Sequence, residues 1–238
     1  MESIDKLHGT YEKKLAEGAK PTVSAAVIKR LPRYHRYLGD LLRDGRFRIS
    51  SAELSRMMNV TASQIRQDLN CFGGFGQQGY GYNVKYLYGK ISELLGVTKG
   101  YNAVIVGAGN LGKALAATHM FERRGVNRLA LFDSNPEIIG SEVYGLPVYS
   151  VETLGEFCRE HSVSIGVLTV PKEAAYDVAV VMAESGVVGI WNFAKMELKL
   201  PEHEEVIVEN IHLGDSLMTL CYEIKTKTNE REPVSADE

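Results

Sequence analysis

Cysteine is scarce in this chain. There are three in 238 residues, Cys71, Cys158 and Cys221, an odd number, far apart and without a Cys-x-x-Cys pair. That excludes a disulfide framework and a thiolate zinc centre as organising principles, so no metal is expected. Long apolar runs are missing too: no stretch approaches the ~20 residues that a membrane helix needs. The opening segment, MESIDKLHGTYEKKLAEG, has no apolar signal-peptide core. A reduced, cytoplasmic protein without membrane partners is the expectation. What is present is ordinary for globular proteins, 45% hydrophobic and 24% charged residues. The length allows two small domains or one large one.

The net charge of −3 conceals an uneven distribution. From Lys20 to Lys99 there are thirteen Lys and Arg against five Asp and Glu, a balance of +8, whereas Gly100 to Glu238 balances to −10. Such a split suits a protein with one half facing a polyanion. The basic half also carries a pattern. Ser24 to about Asp44 has Val27, Leu31, Tyr34, Leu38 and Leu41–Leu42 at helical spacing, interrupted by Pro32 and closed by Gly45. A short β-like step in RFRISSAEL leads to Ser50 or Ser51 as N-cap of a helix from Ala52 to about Met58. Thr61 then caps a third helix ending near Asn70. This is helix-turn-helix order.

The segment QIRQDLNCFGGFGQQGYGYNV (64–84) joins that third helix to a glycine-aromatic tract. In a winged helix-turn-helix the third helix, here Thr61 to Asn70, enters the major groove, and Cys71 to Val84 forms the wing. Ile65 and Leu69, four apart, face the core, leaving Ser63, Gln64, Arg66 and Gln67 towards DNA. Ser50, Ser51 and Thr61, with Gln77, Gln78 and Tyr80 in the wing, complete the expected DNA-facing set. The bland alternative is a helical hairpin that binds another protein; the +8 balance argues against it. VKYLYGKISELLG is a further amphipathic helix.

From Tyr101 the rhythm becomes strand, helix, strand, the mark of a parallel sheet covered on both faces. YNAVIVG, RLALFD, LPVYS, SIGVLTV, VVGIWNF and EVIVEN read as strands. NLGKALAATHMFERRG, VETLGEFCREH and KEAAYDVAVVMAESG read as helices. Gly107, Ala108, Gly109, Asn110, Leu111 and Gly112 form a GxGxxG after an apolar strand and at a helix start, the context the dinucleotide fingerprint requires. Asp133 lies 26 positions after Gly107, at the next strand's end, where a carboxylate suits the ribose hydroxyls of NAD(H) and repels the 2′-phosphate of NADP(H). Thr169, Val170 and Pro171 close the fourth strand and border the nicotinamide half. The cofactor expected is NAD(H), on a Rossmann-type sheet.

Taken together, RLPRYHRYLGDLL, ISSAELSRMMNVTASQIRQDL, FGGFGQQGYGYNV, VGAGNLGKAL, FDSNPEIIG, LTVPKEAA, GIWNFA and VENIHLGDSL resemble the Rex family of redox-sensing transcriptional repressors, in family order over residues 24 to 225. The resemblance implies an α/β homodimer that binds a palindromic double-stranded operator and is not an enzyme. Each chain would carry a winged-helix domain at 1–98 (1–20 flexible) and a Rossmann NAD(H)-binding domain at 99–212. A C-terminal helix at 213–226 would be swapped into the partner, with a disordered tail at 227–238. NADH would release DNA, whereas NAD⁺ would bind more weakly or permit DNA binding.

Three positions depart from the family pattern. A redox-coupling cluster is formed in the family by an Arg in the first helix, a Tyr late in the glycine-motif helix and an Asp after the VEN strand. Arg36 matches the Arg, Thr118 stands for the Tyr and His212 for the Asp. Leu213 occupies the position, often Phe, that reaches the partner's nicotinamide. The departures bear on discrimination between NADH and NAD⁺, not on dinucleotide binding, so a Rex-like regulator without strong redox discrimination is the alternative. On the DNA side the family often has Lys where Gln67 stands and a basic residue near Gln77–Gln78. Gln fits adenine, so an A·T pair is expected opposite Gln67, with a shallower salt dependence of binding. A Rossmann oxidoreductase is the rival from another class. Its candidate acids and bases, His119, His161, His203, His212 and Lys195, sit in no catalytic motif, and it leaves the basic half unexplained. A third reading is a DNA-binding protein whose Rossmann domain serves only dimerisation.

Overall fold

The computed structural model describes residues 24–70, 76–77 and 81–229. The chain divides into two compact units, Met1–Thr98 and Lys99–Glu238.

In the first unit, α1 (Ala25–Arg43) starts at Ser24, whose hydroxyl accepts the Val27 N–H. Val27, Leu31, Tyr34, Leu38 and Leu41, at 4-3-4-3 spacing, are its buried stripe. The helix runs through Pro32 without a break. Pro32 and Ile28 are both exposed, so the Ile28 carbonyl that Pro32 cannot bond lies on the outer side of the helix. At the end Asp44 is the cap and Gly45 follows in the left-handed region. The Arg46 N–H reaches Leu41 O and the Gly45 N–H reaches Leu42 O, the paired bonds of a Schellman stop.

β1 (Arg48–Ile49) leads to α2 (Ser51–Met58). Ser50 and Glu53 form a reciprocal capping box there. α3 (Ala62–Asn70) is capped by Thr61, whose hydroxyl accepts the Gln64 N–H at 3.1 Å. β2 (Gly76–Gln77) and β3 (Gly81–Asn83) complete an antiparallel sheet of order β1-β3-β2, and α4 (Val84–Leu94) follows from an Asn83 cap. Two helices, a turn and a third helix followed by a small sheet is the winged-helix arrangement. Leu54, Met58, Ile65, Leu69, Leu87 and Ile91 bury fully against the α1 stripe. Each such side chain stabilises the fold by roughly 1.5–3 kcal/mol.

One polar group lies inside this core. Asp68 of α3 is fully buried and accepts four hydrogen bonds. Arg30 donates twice from α1, at 2.7 Å each, Tyr34 at 2.9 Å and Gln64 at 2.8 Å. Burial pushes its carboxyl pKa upward, but the bonds from Arg30, Gln64 and Tyr34 outweigh that and hold it below the ordinary value. Burial and the adjacent carboxylate push the Tyr34 hydroxyl upward.

In the second unit the sheet order is β10-β9-β8-β4-β5-β7-β6. Its strands are β4 (Tyr101–Val106), β5 (Val126–Asp133), β6 (Glu142–Val143), β7 (Leu146–Ser150), β8 (Ile165–Leu168), β9 (Gly189–Asn192) and β10 (Ile207–Asn210). All pairings are parallel except β6 with β7. The helices are α5 (Asn110–Ala116), α6 (Leu154–Glu160), α7 (Lys172–Glu184) and α8 (Leu213–Asn229). Val104 and Val106 of β4 join one apolar core while Ile105, between them, joins another. Strand alternation therefore feeds two layers, as in a doubly wound sheet.

Three expectations are corrected. The helix read from NLGKALAATHMFERRG ends at Ala116, and only Glu122–Arg124 forms a further 3-10 turn. Arg128 of β5 takes the Ala116 carbonyl and the Thr118 hydroxyl takes that of Leu115, so the carbonyls that would carry the next turn are occupied. β6 was not expected. It pairs with β7 through Tyr144 and Gly145, both at positive φ, as a two-residue type I′ hairpin demands. The C-terminal helix runs to Asn229, so residues 227–229, expected in the tail, are helical. Lys227 in the last turn complements the helix dipole. Residues 1–20, Gln78, Tyr80 and 230–238 lie outside the described residues. No helix among the described residues is long and apolar enough to cross a membrane, and no group of three His, Cys, Asp or Glu there could hold a metal.

Removing one partner of a buried ion pair leaves the other charge uncompensated, at a cost of about 3–5 kcal/mol. Asp68→Ala is expected to lower the urea-unfolding free energy of the N-terminal unit by about that much. Asp68→Asn tests the charge. Because the folded carboxyl pKa is depressed, its stabilisation is complete above the unfolded value near 4. It is lost as pH falls through the lower folded value, so the gap between wild type and Asp68→Asn narrows in acid.

Candidate functional site

The glycine turn stands where the sheet order reverses. From β4 the chain proceeds to β5 and β7 on one side, then returns to β8 on the other. In open α/β sheets this switch point is where ligands bind, beyond the C-terminal strand ends. Gly107 follows β4 with φ +100°, and a Cβ there would lie 2.7 Å from the Thr169 carbonyl oxygen. A Cβ on Gly112 would lie 1.8 Å from Gly107 O. The Thr169 N–H donates to Val106 O, and its hydroxyl sits 3.0 Å from Val106 O and 2.8 Å from Gly107 O. The turn and the end of β8 are thus locked together.

Gly109 is different. It is the exposed N-cap of α5, makes no side-chain cap, and has nothing within 4 Å of where its Cβ would be. The first N–H groups of α5 open onto that space, with Asn110 exposed and Leu111 half-buried. The Asp133 carboxylate accepts the Ala108 N–H at 2.6 Å and the Asn135 N–H at 2.9 Å, one per oxygen, leaving lone pairs for further donors. The fold therefore brings Gly107, Ala108, Gly109, Asn110, Leu111, Gly112, Asp133 and Thr169 to one place beyond the C-terminal ends of β4, β5 and β8. Val170 is half-buried beside it, and Pro171 is the N-cap of α7. An uncapped helix start with room for an anion and a carboxylate at the adjacent strand end fit a dinucleotide.

In the N-terminal unit, Ser63, Arg66, Gln67 and Asn70 line a shallow concavity on the outer face of α3. Ser63, Arg66 and Gln67 are exposed, and Arg66 Nη1 lies 3.3 Å from the Ser51 hydroxyl. Ser50 and Thr61 use their hydroxyls as helix caps. Gln64 is half-buried, with its amide nitrogen on Asp68. Asp68 and Arg30 were missed in the sequence. The signal was available, because position 68 shares the inward stripe of Ile65 and Leu69, where a carboxylate demands a buried donor.

The redox-coupling positions fall in both units, Arg36 in the first and Thr118, His212 and Leu213 in the second. Arg36 is exposed on α1, its guanidinium 5.4 Å from the Tyr37 ring centre. Thr118 bonds Leu115 O. His212 Nε2 lies 3.0 Å from Glu197 Oε1, and Glu197 Oε2 in turn accepts from Asn210. Leu213, the first residue of α8, is 64% exposed. Leu217, Met218, Leu220, Tyr222 and Ile224 of the same helix are exposed as well.

A winged helix-turn-helix joined to a Rossmann sheet with an open glycine turn defines a class, the ligand-controlled transcriptional regulator. Family models agree in both halves: a DNA-binding protein N-terminus at residues 22–70 and a CoA binding domain at residues 98–196. The redox-sensing transcriptional repressor Rex of Clostridium botulinum is 51% identical over 202 residues, 85% of this chain and 95% of that protein. Rex of Thermoanaerobacter pseudethanolicus is 51% identical over 205 residues, 86% of this chain and 91% of its own. The crystal structure of RSP, a Rex-family repressor, with β-NAD⁺ and operator DNA matches with a TM-score of 0.81 at 48% identity, over 92% of this chain and all of that one. RSP with β-NADH matches at 0.80 and 46%, over 90% of this chain and 99% of that one. The chain belongs to the Rex family of redox-sensing transcriptional repressors. These relatives are named as repressors, in accord with the expectation of a regulator and against that of an oxidoreductase.

Gly109 and Gly112 separate binding from folding. Gly109→Ala costs at most about 1 kcal/mol at an N-cap, so its melting curve should stay near wild type while calorimetry shows weakened NADH binding. Gly112→Ala should displace the turn and lower the melting temperature as well. Equal NADH affinity in Gly109→Ala and wild type would contradict this assignment of the crevice.

Proposed function

We propose that this chain is a homodimeric, cytoplasmic repressor that binds NAD(H) in the crevice at Gly107–Gly112 and couples its redox state to a palindromic operator. The observation that carries the reading is the open, uncapped turn at Gly109 beside Asp133, in a chain that also presents a recognition helix. In support, the related RSP was crystallised both with β-NAD⁺ and operator DNA and with β-NADH.

The α5 N–H groups would face the pyrophosphate, Asp133 would accept from a ribose, and Thr169, Val170 and Pro171 would border the nicotinamide. The ligand supplies the signal, since its nicotinamide is cationic when oxidised and neutral when reduced. Ser51, Ser63, Gln64, Arg66 and Gln67 would meet the major groove, with Ser50 and Thr61 setting the helix starts behind them. Gln77, Gln78 and Tyr80 of the wing would meet the flanking backbone. The exposed apolar side chains of α8 call for a cover, and exchange of this helix between two protomers supplies one. Coupling is then a two-state equilibrium, shifted by whichever redox form prefers the state that releases DNA. A reducing compartment suits the thiols: Cys158 is buried, its pKa pushed up to about 11 by burial, and Cys221 is free and exposed.

Thr118, His212 and Leu213 support a second reading, in which the chain binds both redox forms with little preference. Titration of NADH and NAD⁺ separately into nucleotide-stripped protein by calorimetry decides between them. Redox sensing predicts NADH at least tenfold tighter, about 1.4 kcal/mol. Equal affinities favour the second reading, and no binding of either contradicts both.

A further inference from the structure

Gln64 is the third residue of α3, in the turn of a recognition helix that meets base edges. A glutamine amide is ordinarily ambidentate. Its nitrogen donates, its oxygen accepts, and half a rotation exchanges them. Here the exchange is blocked. Asp68, four residues on, is fully buried, and its carboxylate takes both arms of the Arg30 fork and the Tyr34 hydroxyl. An ionised carboxylate only accepts, so only the Gln64 nitrogen can face it, as it does at 2.8 Å. The flipped amide would set oxygen against oxygen with no proton between them.

The Gln64 carbonyl oxygen is left over. No described residue donates to it, and among the described residues no buried side-chain polar atom lacks a hydrogen bond, so this oxygen reaches solvent. We infer that Asp68 fixes the polarity of Gln64, making it a specificity-determining acceptor that selects a base amino group, adenine N6 or cytosine N4, in the operator's major groove. Guanine offers only acceptors on that edge and is rejected at this atom. Whatever the second amide proton reaches, the position of the oxygen demands a donor from the base. Arg30 and Tyr34 act one step behind as positioning residues. The inference rests on the operator-binding reading proposed above.

The test is selection of operator half-sites from a randomised pool by wild type and by Gln64→Met, followed by affinity measurements on the selected site. In those duplexes each adenine is replaced in turn by purine, and each cytosine by its analogue lacking the 4-amino group. Wild type is expected to lose roughly tenfold at one base of the half-site, and Gln64→Met, folded by its circular-dichroism melt, to lose nothing at that base. The analogue scan on wild type needs no variant, so a poorly folding Gln64→Met leaves it decisive. No loss at any adenine or cytosine overturns the inference, as does a folded Gln64→Met with an unchanged half-site preference. A wild-type chain that selects no site overturns the operator reading together with this one.

Discussion

The carbonyl oxygen of Gly107 lies 1.8 Å from where a Cβ on Gly112 would stand, and Thr169 closes the same turn from the other side. Much of the Rossmann half follows from that closeness. β4 can turn abruptly into α5 only if both positions lack side chains. Once it does, the helix starts beside the end of β5, where Asp133 holds the turn through the Ala108 N–H. The turn is thereby rigid at Gly107 and Gly112 and open at Gly109. Rigidity with one open face is what an anion-binding helix start requires.

The DNA-facing half is organised by a polar anchor in an apolar core. Asp68 joins α3 to α1 through three hydrogen bonds, with a fourth from Gln64 on its own helix, and the aliphatic stripe of Ile65 and Leu69 beside it supplies burial without direction. Apolar contact alone allows a helix to roll; a bidentate guanidinium and carboxylate do not. The anchor sits behind the residues that would read the operator, so the same carboxylate bears on stability and on which atoms face outward.

Much of this was legible in the sequence because the responsible interactions are local. The spacing of Val27, Leu31, Tyr34, Leu38 and Leu41 announces the buried face of α1, and the caps at Ser50 and Thr61 stand next to the helices they start. The glycine motif and Asp133 are readable because a strand precedes the one and ends at the other. What escaped depends on partners distant in the chain or on unusual residues in a familiar role. The stop of α5 at Ala116 comes from Arg128, twelve residues on and in another element. The β6 hairpin places Tyr144 where Asn or Asp would have signalled a type I′ turn. Asp68 reads as one more polar residue of a basic helix until Arg30, 38 positions earlier, is seen against it. Arg36 apart, the redox positions are legible only as departures: His212 bonds Glu197 and the Thr118 hydroxyl bonds Leu115, partners that no spacing foretells.

A DNA-binding unit and a nucleotide-binding sheet in one chain matter to each other only if they are coupled. The most direct measurement is the fluorescence-anisotropy affinity of the intact protein for its selected operator, at one fixed salt concentration, with and without saturating NADH. Operator binding at least tenfold weaker with NADH present is expected. The same affinity in both conditions, with NADH shown to be bound, would contradict it.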